Sequence, residues 1–263
     1  MPDADADPAR FASPDMARRP VISQFNLRPG RKIGRAFAVE SPLGHGSEGE
    51  VYKIREISTG IPRAAKLYFP HRDPSEKQAV RHARKLHTLR ACPIVLQYHH
   101  SEVVQIKKRP IIAMVSELCE GMQLERWIER HPDRRLSPYR ALCVLYDLAR
   151  GLEAIHALGE YHADVHSQNI LIRPVGVRFE IKLIDFYDWG KPTRYKQRQD
   201  VMDTVRILHE LIGGRAQYRH APAELKRIIK GLQHKRVLKQ FPTITALRNH
   251  LESFEWESTL SNR

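Results

Sequence analysis

The run His162-Ala163-Asp164-Val165-His166-Ser167-Gln168-Asn169-Ile170-Leu171 constrains this chain more than any other. It directly follows a long helical pattern, SPYRALCVLYDLARGLEAIHALG, with Pro138 near its start and Gly159 after its end. The spacing H-x-D-x-x-x-x-N puts a carboxylate and an amide on one short loop. The aspartate can accept a proton from a hydroxyl, and the asparagine oxygen can ligate magnesium. Sixteen residues after Asn169 comes Asp185, closing the apolar run Ile181–Ile184. A hard cation bridging phosphates needs an oxygen ligand at such a strand end. NILI and FEIKLIDF read as a hairpin, so Asp164, Asn169 and Asp185 can converge without strain.

Two upstream features agree with that chemistry. In Leu43-Gly44-His45-Gly46-Ser47-Glu48-Gly49-Glu50-Val51-Tyr52 the glycines are spaced G-x-G-x-x-G, which lets backbone N–H groups approach phosphate oxygens. A dinucleotide-binding loop carries the same glycines, but it runs into a helix, whereas EVYKI alternates like a strand. Ala64-Ala65-Lys66 follows, with the lysine fifteen residues after Val51. An isolated strand lysine usually faces solvent; its distance from the glycine loop makes a phosphate-facing lysine the better reading.

The rest of the pattern gives the layout. Strand-like stretches run from about Lys32 to Phe69 and recur at IVLQYHH and RPIIAMVSEL, with a helical segment SEKQAVRHARKLHTLR between them, capped by Ser75. After Gly121 the character becomes helical, through to residue 254. The expected fold is α+β and two-lobed: a flexible leader over 1–30, a β-rich lobe with one helix over 31–120, a helical lobe over 121–256, and a tail over 257–263. A length of 263 residues and 41% hydrophobic residues suffice for such a core. No apolar run is long enough to span a membrane, and the start MPDADADPAR lacks a secretory apolar stretch. Cys92, Cys119 and Cys143 are widely spaced with no C-x-x-C, and read as thiols of a reducing cytoplasm. Lys and Arg number 44 against 30 acidic residues, a formal +14. That favours acidic partners, whether nucleotide phosphates, an acidic protein or nucleic acid, though a solvated basic surface gives the same count.

Taken together, these residues resemble the protein kinase superfamily over roughly residues 36–254. The resemblance implies a bilobal fold that binds ATP and Mg²⁺ and acts on a protein substrate, as a serine/threonine kinase. It implies that Gly44, Gly46 and Gly49 cover the phosphates and that Lys66 holds them. Asp164 would be the catalytic base, with Asn169 and Asp185 as metal ligands. Val51, Ala64 and Leu171 would sandwich adenine, with Leu43 and Cys119 in the same nucleotide site, the hinge at Glu117–Glu120 and Ser116 at its inner end. Gln199-Asp200-Val201, opening a helix, resembles the element that braces the catalytic loop from below. Leu232 to Leu251 resembles the end of the helical lobe.

Four departures qualify the resemblance. Alignment back from Leu86, Leu89 and Pro93 puts His82 or Ala83 where the family carries a helix glutamate, and Glu76 lies about two turns too far upstream. Lys66 is then held by Asp185 or by no protein group until ATP arrives, which favours a pseudokinase that binds a partner. The loop reads HAD instead of HRD, which argues against control by activation-loop phosphorylation. The metal triplet is Asp185-Phe186-Tyr187; Asp188-Trp189-Gly190 is a competing frame, and Asp185 is preferred because it follows the apolar strand. Only fourteen residues separate Asp185 from Asp200, with no APE-like sequence between them. This brevity resembles RIO-type, haspin and small bacterial or effector kinases, and leaves a small-molecule or RNA-associated kinase as a further alternative.

Other residues are weighed on the same terms. His166 is open between a phosphate contact and a loop-fixing hydrogen bond. Lys191, Arg194, Lys196 and Arg198 are a solvated strip or a docking strip for an acidic substrate. His99-His100 reads as a surface pair, and Trp127, Trp189 and Trp256 as packing residues.

Overall fold

The strands Gly49–Glu56 (β3) and Pro62–Tyr68 (β4) alternate strictly, and that period of two divides their side chains between two cores. Tyr52, Ile54, Ala65 and Leu67 point to the far side of the sheet, into a cluster with Phe37, Val39 and Val115. Val51, Ala64, Lys66 and Tyr68 point the other way, toward a cleft. The computed structural model describes residues 21–72, 77–176, 178–186 and 190–253.

Six antiparallel strands form the N-terminal sheet in the order β1-β2-β3-β4-β6-β5. The others are Lys32–Ile33 (β1), Phe37–His45 (β2), Tyr98–Ile106 (β5) and Arg109–Glu117 (β6). IVLQYHH is strand only from Tyr98 onward. The helix Lys77–Thr88 (α1) packs on this sheet with Ala79 and Leu86 buried, and Leu89 just beyond its end is buried too; the expected cap Ser75 lies outside the described residues. Residues 21–30, which the sequence places in the leader, run along the sheet with Ile22 and Phe25 buried. The buried Glu50 carboxylate accepts from the Phe25 and Asn26 N–H groups at 3.0 and 3.2 Å, and from the Tyr52 hydroxyl. Tyr52 in turn accepts from Leu27 N–H at 3.0 Å. Burial and the Glu50 partner push the Tyr52 phenol up to about 12.

Residues 118–121 lead into the second lobe. It opens with Met122–Gln123 (β7) and Leu124–Glu129 (α2), then Pro138–Ala157 (α3). Ser137 caps α3 by accepting from Arg140 N–H, and Gly159 beyond its end has φ +75°. Its buried face, Ala141, Val144, Leu145, Leu148, Leu152 and Ile155, repeats at three and four residues and forms the centre of the helical core. Ile170–Val175 (β8) and Arg178–Leu183 (β9) make the expected hairpin, paired with β7. Arg194–Leu211 (α4), Gly214–Tyr218 (α5), Ala223–Ile229 (α6), His234–Gln240 (α7) and Ile244–Glu252 (α8) complete the lobe. α4 begins at its cap Thr193, so Asp200 sits in the second turn and does not open the helix as the sequence pattern indicates. The architecture is the expected bilobal α+β fold.

Candidate active site

The cleft between the lobes is a cavity of about 480 Å³. Leu43, Gly44, Gly46, Gly49, Val51, Ala64, Lys66, Glu117, Cys119, Leu171 and Asp185 all line it, so the structure brings the whole sequence-derived nucleotide set together. A larger cavity of about 900 Å³ lies behind residues 117–120, lined by Ile94, Phe179 and Lys182, and holds none of the glycines.

The three glycines differ in why they lack a side chain. A Cβ on Gly49 would lie 2.0 Å from the Leu67 carbonyl oxygen, so close strand pairing excludes one. A Cβ on Gly44 or Gly46 would meet nothing within 4 Å. Packing therefore does not explain those two, and the open space they leave faces the cleft.

Lys66 sits at the back of the cavity. Its Nζ donates to Asp185 Oδ1 at 2.7 Å and to Glu48 Oε2 at 2.6 Å. Burial works against its charge, and the Asp185, Tyr68 and Glu48 groups outweigh that and hold the ammonium above its ordinary range. For Asp185, burial opposes ionisation while the Lys66 charge overcomes it, so its carboxyl lies below the usual range. Asp185 itself adopts φ +57°, a left-handed backbone costing about 1–3 kcal/mol in a non-glycine residue, which the surrounding contacts impose. Its rival Asp188 lies outside the described residues, as do Tyr187, Trp189, Glu76 and Trp256.

Helix α1 presents His82 to this cluster; its Nδ1 lies 2.8 Å from the Tyr68 hydroxyl, and its Nε2 has no hydrogen-bond partner among the described residues. Burial, then the Lys66 charge, pushes its imidazole down from 6.5 to about 3, against the opposing pull of Asp185 and alongside Lys85 and His162. The sign follows by linkage. A neutral buried histidine takes up its proton only on unfolding, so its contribution is complete above about pH 6.5 and is lost as pH falls toward about 3. Urea denaturation of His82→Leu is expected to show a flatter pH dependence than wild type across that window. A slope equal to that of the wild type would remove His82 from the account.

Asp164 and Asn169 do not line the cavity; they lie together on the adjoining loop. Asn169 Nδ2 donates to Asp164 Oδ2 and to the Asp164 carbonyl, both at 3.1 Å, which turns its amide oxygen away from that carboxylate. His166 Nε2 lies 3.4 Å from Asp164 Oδ2. Asp200, fully buried, accepts from His162 N–H at 2.9 Å, Ala163 N–H at 2.7 Å and His156 Nε2 at 2.9 Å. It braces the loop from beneath, as the sequence pattern implies. His162 donates from Nε2 to the Ile184 carbonyl at 3.1 Å and accepts at Nδ1 from Asp164 N–H, tying the loop to the strand that delivers Asp185.

Elsewhere, Lys182 Nζ meets Glu117 Oε1 at 2.6 Å, so the Glu117 carboxylate is turned to the back of the hinge. Burial and then Glu117 push the Cys119 thiol up to about 12, which keeps it protonated. In the basic strip Lys196 turns inward to Tyr161 and the carbonyls of Gly190 and Lys191, while Lys191, Arg194 and Arg198 are exposed. Trp127 packs in the core against Phe179.

Glu48, Gln78 and Tyr68 belong to the site and are absent from the sequence-derived set. For Glu48 a signal existed: an acidic side chain inside a phosphate-type loop is chemically out of place unless a cation waits for it.

The family model for the protein kinase domain matches residues 37–209, and the chain belongs to that family. It is 26% identical over 169 residues to the serine/threonine-protein kinase PkaA of Streptomyces coelicolor, covering 59% of this chain and 30% of that one. It is 32% identical over 146 residues to PkaB of the same organism, covering 54% and 33%. With the serine/threonine-protein kinase pkn2 of Myxococcus xanthus it shares 32% over 154 residues, covering 57% and 18%. The aligned region spans a third or less of each of these relatives. Among the described residues no helix is long and apolar enough to cross a membrane.

Proposed function

We propose that this chain is an ATP- and Mg²⁺-dependent kinase of minimal type that transfers the γ-phosphoryl group to a serine or threonine hydroxyl of a protein. The observation that carries the reading is a glycine-lined cleft that holds Lys66 paired with Asp185, with the loop of Asp164 and Asn169 tied through His162 to the strand that delivers Asp185. The donor set suits magnesium. Asp185 and Asn169 offer hard oxygen ligands, the kind that Mg²⁺ takes. When bound, the ion would neutralise charge on the phosphate oxygens.

The protein's own part is placement and charge. Gly44 and Gly46 leave room for the phosphates, and Lys66 offers them a fixed ammonium. Val51, Ala64 and Leu171 hold the adenine ring between the lobes. Asp164 orients the acceptor hydroxyl and takes its proton as the oxygen bonds to the γ-phosphorus. The bond from that phosphorus to the β–γ bridging oxygen breaks, and ADP leaves with the electron pair. The relatives are serine/threonine-protein kinases by name, which supports a protein acceptor over RNA or a small molecule.

A nucleotide-dependent partner-binding module without transfer is the second reading, favoured by His82 standing where the family carries a glutamate. Incubating the purified chain with γ-labelled ATP and Mg²⁺, alone and with cell-lysate protein, separates the two. Label on serine or threonine is expected. ATP hydrolysis that labels no protein would overturn the protein acceptor, and nucleotide binding with neither hydrolysis nor label would leave the binding module.

A further inference from the structure

A strand lysine that must hold phosphates needs an anion to fix its position, and helix α1 supplies none. The residue it turns toward Lys66 is His82, a neutral imidazole whose Nδ1 already faces the Tyr68 hydroxyl. The anion comes from the glycine loop. Glu48 Oε2 lies 2.6 Å from Lys66 Nζ, and the side chains are 16% and 11% exposed, so the pair is largely desolvated. The other Glu48 oxygen accepts from Gln78 Nε2, on α1 one turn before His82. The loop, the helix and the lysine strand thus meet at one carboxylate.

We infer that Glu48 and Gln78 form a relay that replaces the missing helix glutamate, with Glu48 the positioning residue for Lys66. This rests on the phosphotransfer reading above. An ammonium has three donors. Glu48 and Asp185 take two of them, and the third, which has no hydrogen-bond acceptor among the described residues, can meet a phosphate oxygen. Because Gln78 reaches Lys66 only through the loop, closing the glycine loop and seating α1 become one event. The charge belongs to Glu48 and the helix contributes a neutral amide, so the role depends on which side chain carries the carboxylate.

That dependence gives the test. Glu48→Gln removes the anion, Gln78→Ala removes the link to the helix, and the double change Glu48→Gln with Gln78→Glu moves the anion onto α1. In the double variant the new amide at position 48 accepts from Lys66 and donates to the new carboxylate at position 78, so the chain of hydrogen bonds and the net charge are both kept. Steady-state kcat and KM for Mg-ATP are measured for all four proteins, with binding of a non-hydrolysable ATP analogue. Glu48→Gln is expected to lower kcat on the order of tenfold or more, the scale of a lost charge-assisted hydrogen bond. Gln78→Ala should lose less, and the double variant should recover most of the loss. A merely structural role would not be rescued by moving the charge. Tighter analogue binding in Glu48→Gln would overturn the proposal, because the carboxylate would then be blocking the phosphate site. An unchanged kcat, or a double variant no better than Glu48→Gln, would overturn it too.

If the wild type transfers no phosphate, the functional reading fails separately, and the relay is judged by hydrogen exchange on the unliganded chain. Faster exchange in both the glycine loop and the first turns of α1 in Glu48→Gln, reversed in the double variant, upholds it. Exchange that rises in the loop alone overturns it.

Discussion

Asp164→Ala is expected to abolish measurable label transfer while leaving Mg-ATP binding close to wild type, and Asp185→Ala is expected to lose both. The contrast follows from where the two carboxylates sit. Asp164 is outside the lining of the 480 Å³ cavity, bonded by Asn169 and near His166, and among the described residues it shares no hydrogen bond with the glycine loop. Removing it would take away the proposed base, worth on the order of 10²–10⁴ in rate, and leave the cavity lining unaltered. Asp185 lines the cavity and holds Lys66 at 2.7 Å. Its loss would remove the proposed metal ligand and leave the desolvated ammonium with Glu48 as its remaining carboxylate among the described residues. Label transfer and calorimetric titration with Mg-ATP read the two effects separately. Wild-type transfer by Asp164→Ala would remove the base from the mechanism. Wild-type affinity in Asp185→Ala would shift the metal to another group.

The second large effect is on stability. Asp200→Ala is expected to lower the urea midpoint steeply, because three donors lose their acceptor at once: His162 N–H, Ala163 N–H and His156 Nε2. Each buried donor left without a partner costs about 1–3 kcal/mol, so the sum is a large fraction of the stability of an ordinary domain. Ala163 sharpens the expectation, since its φ of +71° is held by the bond that disappears. Residual folded protein should also transfer label poorly, because the loop carrying Asp164 is the one released. A midpoint within experimental error of wild type would mean that water or a neighbouring group takes over, and that Asp200 is not the brace.

Much of this site is legible in the sequence because its parts are local. The HADVHSQN loop, the glycine loop and the strand ending at Asp185 each draw their geometry from a few consecutive residues, and the two periodicities place them on loops and strands. The alternatives His82 and Ala83 also follow from spacing along a single helix, and the helix turns His82 to the lysine. Asp185 is one of the two alternatives the sequence leaves for holding Lys66, and the structure pairs them; what could not be read is the second carboxylate, Glu48. It lies eighteen residues before Lys66, and the pairing exists only once β2, β3 and β4 stack in register. Gln78 is less visible still, since an amide on a helix has no distinguishing neighbours in sequence. The start of α4 departs from the sequence pattern for a different reason. Arg194 to Arg198 carries little apolar signal, so the helix shows its period only where Val201, Met202 and Val205 enter the core.

The clamp on residues 21–27 has a mechanical consequence. Glu50, which grips the Phe25 and Asn26 amides, is the next residue after Gly49, and the Tyr52 hydroxyl that anchors Leu27 lies two further along the same strand. Tension applied at residue 21 would therefore travel down a short load path into the root of the glycine loop, shared with the β5–β6 turn through the Lys107 bond to the Gln24 carbonyl.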